Sequence, residues 1–120
     1  MARIVVLDDD EVILDLLGTL IAEAGHHRIA APRLEDLPPD ADADLVITDL
    51  VPLTSYCREP SLSWIAMLRK RFPAAPIVVV TAHPAALAEP DKLGANEIVG
   101  KPFDVDALLA KVEALLPGRS

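Results

Sequence analysis

Four places in this chain of 120 residues carry side chains that can do chemistry together. They are the acids Asp8, Asp9 and Asp10, the acid Asp49, the hydroxyl of Thr81 and the amine of Lys101. Clustered carboxylates repel one another, and a hard divalent cation relieves them. An all-oxygen set with no His or Cys beside it suits Mg²⁺, or Mn²⁺, rather than zinc. An Asp in such a site can act as a nucleophile and form an acyl phosphate. The cation neutralises the transferring group, so catalysis becomes a matter of position and charge. A threonine hydroxyl can donate to a phosphoryl oxygen, and a lysine can place a point charge against it.

Each of these residues also has a plainer role. Asp10 is well placed to cap a following helix, but one Asp suffices for that and three like charges cost energy. Asp49, Thr81 and Lys101 are each unremarkable alone; the reading rests on their convergence. Other candidates are weaker. Asp40, Asp42 and Asp44 mimic the start of a calcium loop, which needs Gly where Leu45 stands and Glu where Val51 stands, so they read as a solvated turn. His26 and His27 follow a helix end, where positive character is favoured. His83, two residues past Thr81, is placed to sit at the rim of a site there. Cys57 has no evident base partner, and no Gly-x-Gly-x-x-Gly or Walker lysine loop is present.

Positioning such a set takes a particular alternation of elements. Ile4–Leu7, Arg28–Ala31, Leu45–Thr48, Ile77–Val80 and Ile98–Val99 read as strands, short and apolar in the manner of a buried parallel sheet. Val12, Ile13, Leu16, Leu17, Leu20, Ile21 and Ala24 repeat at helical spacing, with Gly25 as a C-terminal stop. Leu62, Ile65, Leu68 and Phe72 give another helix, and Val105 to Leu116 the last. Pro32 to Ala43 allows one or two turns around Leu34 to Leu37, Leu50 to Pro60 reads as an irregular loop, and Pro84 to Leu93 is ambiguous. Alternating strands and helices imply an α/β fold, a parallel sheet covered on both faces. Sites in such sheets form at the carboxyl ends of strands. Those ends carry the acids, Thr81 and Lys101.

Composition narrows the possibilities further. Nineteen acids against eleven Lys and Arg leave a net charge of −8, which disfavours a nucleic-acid backbone or an anionic membrane as partner. The length predicts a single domain over 1–120. A single cysteine fits a reducing cytoplasm, the N-terminus does not read as a signal peptide, and no apolar run approaches a membrane span.

In the pieces IVVLDDDEVILDLL, ADLVITDL, PIVVVTAH and GANEIVGKPFDVDALLAKVEALL the chain resembles the receiver domain of bacterial two-component response regulators. The resemblance covers most of the chain in order. It implies a (βα)₅ flavodoxin-like, doubly wound sheet of order 2-1-3-4-5. It marks Asp49 as phosphoacceptor, charged by a histidine kinase or phosphotransfer protein, with Asp8, Asp9, Asp49 and the carbonyl of Val51 holding Mg²⁺. Thr81 and Lys101 become the hydroxyl and ammonium that meet the phosphoryl group, and Pro102 follows by a cis peptide. The expected function is a signalling switch that changes the binding of a downstream protein, with self-phosphorylation from a donor and self-dephosphorylation as its only catalysis.

Several features depart from the family pattern. Pro52 and Leu53 stand where Met-Pro is usual, the loop from Leu53 to Pro60 is long, and Ser61 replaces a glycine. The second and fourth helices are shortened, and Ile98 occupies the aromatic switch position. Output is therefore expected through the Leu53 to Pro60 loop. Two rivals remain at this level: a degenerate receiver that binds proteins without phosphate, and a small Mg²⁺-dependent phosphatase or phosphotransferase, for which 120 residues offer neither substrate pocket nor cap domain.

Overall fold

The computed structural model describes residues 2–50, 58–89, 91–101 and 103–116. Five parallel strands form one sheet, β1 (Arg3–Leu7), β2 (His27–Ala31), β3 (Leu45–Thr48), β4 (Ile77–Thr81) and β5 (Glu97–Gly100), in the order β2-β1-β3-β4-β5. This is the 2-1-3-4-5 order that the resemblance implies.

The crossovers differ in length. Helix α1 (Glu11–Glu23) follows β1, and a single 3₁₀ turn at Leu34–Asp36 follows β2. Helix α2 (Arg58–Arg71) follows β3. After β4 come the four-residue α3 (Pro84–Leu87) and a 3₁₀ turn at Lys92–Gly94, and α4 (Val105–Leu115) closes the fold. The second and fourth crossovers are thus short, as the prolines predict. The expectation of an irregular loop as far as Pro60 is corrected, because α2 already begins at Arg58. Pro60 lies in its first turn, where a missing N–H costs no intrahelical bond.

Apart from Arg3, Thr48 and Thr81 at their ends, the interior strands are apolar because helices cover both faces. Alternation splits their side chains into two cores. Val5, Leu7, Val46, Ile77 and Val79 pack with Ile65, Leu68 and Phe72 of the α2 face. Ile4, Val6, Leu45, Ile47, Val78 and Val80 pack with Leu17 and Ile21 of α1 and Leu108 and Val112 of α4. Asp10 caps α1, accepting from the amides of Val12 at 2.9 Å and Ile13 at 3.4 Å, and Gly25 takes φ +90° just beyond the helix end, a backbone open to glycine at little cost. Asp104 caps α4 in the same way.

Polar contacts tie distant segments. His26 Nδ1 accepts from the amide of Ala2 at 3.2 Å, so the ring hydrogen sits on Nε2, which lies 2.7 Å from Glu113 of α4. Arg58, at the start of α2, pairs with Glu89 and Asp91 across to the fourth crossover, and its hydrogen bond holds the Asp91 carboxyl below the usual range. The next two residues, Lys92 and Leu93, take φ of 53° and 58°. Leu93 is buried and anchors that turn. Asp44 is more than part of a solvated turn. It accepts from the Arg3 amide at 2.8 Å, and that bond leads the effects holding its carboxyl below the usual range.

Candidate functional site

The register of the strands decides which side chains meet. Leu7 lies level with Thr48, and Thr81 lies level with Gly100. The ladders run one bond further, Asp49 N to Leu7 O at 2.9 Å and Lys101 N to Thr81 O at 2.9 Å. Asp8, Asp49, Thr81 and Lys101 therefore leave the sheet along one edge.

Lys101 Nζ lies 2.9 Å from Asp8 Oδ2 and 3.1 Å from Asp49 Oδ2. Asp8 is almost fully buried, with 1 % of its side chain exposed, against 20 % for Asp49 and 16 % for Lys101. The second oxygen of each acid is also held: Asp8 Oδ1 accepts from the Asp10 amide at 2.9 Å, and Asp49 Oδ1 from the Leu50 amide at 2.7 Å. Asp9 is exposed beside them.

One ammonium thus serves two carboxylates. Burial raises the Asp8 carboxyl above its usual range, which the Asp10 amide and Lys101 only partly offset, while the Asp49 charge adds to the rise. Burial alone would lower the Lys101 ammonium, but its bond to Asp8 and the charge of Asp49 carry it above the ordinary range. The two directions agree: with negative charge in surplus, the cation is favoured and the more buried anion is not.

That surplus suits a second cation. Asp8, Asp9 and Asp49 each offer an oxygen, all within 4.8 Å of one another, and an oxygen-only donor set fits Mg²⁺. Val51, the remaining expected ligand, lies outside the described residues, as do Pro52, Leu53, Cys57 and Pro102. The residues 53–57 expected to carry output lie outside them as well. Thr81 is fully buried at the end of β4, where its Oγ1 accepts from the His83 amide at 3.1 Å. A hydroxyl that accepts there keeps its own hydrogen to give. His83 itself stands half-buried at the N-cap of α3. Ile98 packs partly buried against the α2-side core.

Sequence reasoning missed two residues of this edge. Thr48 Oγ1 donates to the backbone carbonyl of Asp49 at 2.6 Å and accepts from Trp64 Nε1 of α2 at 3.0 Å. The available signal was the lone tryptophan of an aromatic-poor chain, since an indole N–H needs a partner when buried.

No family model matches the chain. It is 34 % identical over 125 residues to the transcriptional regulatory protein FixJ of Azorhizobium caulinodans, an alignment covering 96 % of this chain and 54 % of that protein. The chain spans about half the length of the first curated relatives it matches. Among solved structures it is similar to the response regulator protein TrrA of Thermotoga maritima, crystallised with Mg²⁺ and BeF. That match has 30 % identity and a TM-score of 0.78, and it covers 97 % of this chain and all of TrrA. A Burkholderia pseudomallei response regulator with a phosphorylated aspartic acid and a calcium ion is 26 % identical, with a TM-score of 0.74 over 99 % of this chain and 69 % of that one. The sheet order, the acids and lysine at its edge and a full-length match to a response regulator meet in one conclusion: the chain belongs to the receiver domains of response regulators.

Proposed function

We propose that this domain, read as one unit over 1–120, takes a phosphoryl group onto Asp49 from a histidine kinase or phosphotransfer protein and thereby switches its hold on a downstream protein. The observation that carries this is the Lys101 ammonium within 3.1 Å of both Asp8 and Asp49, beside three carboxylates gathered for a cation. An Asp49 oxygen attacks phosphorus, an O–P bond forms, and the donor's N–P bond breaks with its electron pair going to the leaving imidazole nitrogen. Lys101 exchanges a carboxylate for a phosphoryl oxygen, and Thr81 gives its hydroxyl hydrogen to another. Mg²⁺ held by Asp8, Asp9 and Asp49 supplies charge neutralisation at the transferring group. Water later hydrolyses the acyl phosphate and restores the carboxylate. In this reading the protein is a switch in the cytoplasm and not a metabolic enzyme, and its acidic surface does not itself contact nucleic acid.

A degenerate, phosphate-independent module would have no use for an acid cluster, a buried hydroxyl and a shared lysine at one sheet edge. The test is incubation with phosphoramidate and Mg²⁺ followed by intact-mass measurement. One added phosphoryl group is expected in the parent and none in Asp49→Asn. A parent that gains no mass from phosphoramidate or from a kinase refutes the assignment.

A further inference from the structure

The peptide unit joining Asp49 to Leu50 is held at both ends. Its carbonyl accepts from Thr48 Oγ1 at 2.6 Å, and that hydroxyl accepts from Trp64 Nε1 at 3.0 Å. Its N–H, on Leu50, donates to Asp49 Oδ1 at 2.7 Å. A trans peptide is planar, so its C=O and N–H point opposite ways and turn together. Whatever fixes the carbonyl therefore fixes the amide that grips the Asp49 carboxylate. With Oδ1 held there, Oδ2 faces Lys101 at 3.1 Å.

We propose that Trp64, acting through Thr48, is a positioning residue that sets which way the Asp49 carboxylate faces. The proposal rests on Asp49 being the phosphoacceptor. Thr48 is fully buried and level with Leu7 and Val79, on the sheet face that α2 covers. At that depth a hydroxyl with both a donor and an acceptor is stiff, whereas one robbed of its donor is free to turn. Trp64 packs against the same core, so its ring is anchored independently of the bond it makes. A tryptophan that merely satisfied its own N–H would need only some acceptor. Here the acceptor is the hydroxyl that leads to the reacting residue.

Three substitutions separate the link from packing. Trp64→Phe keeps a ring but loses the N–H, Thr48→Val keeps the shape but loses the hydroxyl, and Thr48→Ser keeps the hydroxyl. Two readouts are taken: the initial rate of mass gain from phosphoramidate with Mg²⁺, and the exchange rate of the Leu50 amide in the unphosphorylated protein. Trp64→Phe and Thr48→Val should each slow phosphorylation about fivefold, the worth of one neutral hydrogen bond of about 1 kcal/mol, and each should speed Leu50 exchange. Thr48→Ser should stay near the parent in both. Trp64→Phe added to Thr48→Val should change nothing more, because the link is already cut. The proposal is overturned by parental Leu50 exchange in Trp64→Phe and Thr48→Val, by a double variant slower than either single one, or by Thr48→Ser behaving like Thr48→Val. Should the parent itself gain no phosphoryl group, the phosphoacceptor reading falls, and Leu50 exchange still decides whether Trp64 positions the carboxylate.

Discussion

Replacing Lys101 by Met removes the cation that Asp8 and Asp49 share and leaves two carboxylates with oxygens within 4.8 Å of each other. At that separation and an effective dielectric near 20 they repel by about 3–4 kcal/mol. The protein can escape by protonating Asp8, the more buried acid, whose carboxyl is already raised by burial. From the ordinary value of 3.8, holding that proton near pH 7 costs at most about 4 kcal/mol at about 1.36 kcal/mol per pH unit, and near pH 5 under about 2 kcal/mol. A raised acid favours the protonated fold, so its penalty grows as pH rises from 3.8 and vanishes below it. The raised Lys101 of the parent acts in the other direction, lending stability that is fully present below 10.5 and lost only above it. Lys101→Met should therefore melt below the parent near neutral pH, by roughly 10–20 °C for a domain of this size, and the gap should close as the buffer is taken toward pH 4. Millimolar Mg²⁺, offering positive charge to the same oxygens, should also narrow it. Calorimetry at three pH values, with and without Mg²⁺, decides the matter. A deficit that ignores both pH and Mg²⁺ would show that Lys101 serves packing and not the charge of the site.

Asp9→Asn takes one charge from the cluster at an exposed position. It should melt at or above the parent without Mg²⁺ and gain little when Mg²⁺ is added, as thermal melts in paired buffers would show. Asp10→Ala deprives the amides of Val12 and Ile13 of their cap and should cost about 1 kcal/mol in denaturant titration, while Asp10→Ser should stay within a few tenths. A methyl group at Gly100 would meet Leu87 Cδ1 at 3.0 Å. Because that is the tip of a half-exposed side chain, Gly100→Ala should shift the melting midpoint by no more than about 1 kcal/mol equivalent; a larger loss would mean that Leu87 has nowhere to move.

Much of this architecture is legible before any coordinates. The apolar runs at Ile4, Leu45 and Ile77 announce buried strands, and the polar residue after each marks the edge where side chains converge. The order of the strands is a different matter, because periodicity says nothing about neighbours; it came from resemblance. Contacts between distant segments are silent as well. Nothing near His26 points to Glu113, and nothing near Asp44 points to Arg3, although each pair is joined in the fold. Pro60 misled for a physical reason, since a residue that ends most helices is harmless in a first turn. Trp64 and Thr48 are sixteen positions apart, and only the packing of α2 on that face of the sheet makes them neighbours.

The division of the interior into two cores has a consequence of its own. Among the described residues, the side chains around Leu17, Ile21 and Leu108 form a separate cluster from those around Ile65, Leu68 and Phe72, with the strand backbones between them. Substitutions on opposite faces should then combine independently, within about 0.5 kcal/mol of their sum. One face carries two full helices, and the other carries one full helix with single turns. The face with single turns still buries the larger apolar cluster, so neither side is loosely packed, and exposed positions on one side can drift while its counterpart stays untouched. The strand ends bearing Asp8, Asp49, Thr81 and Lys101 belong to the shared backbone, which is the part that neither kind of drift needs to disturb.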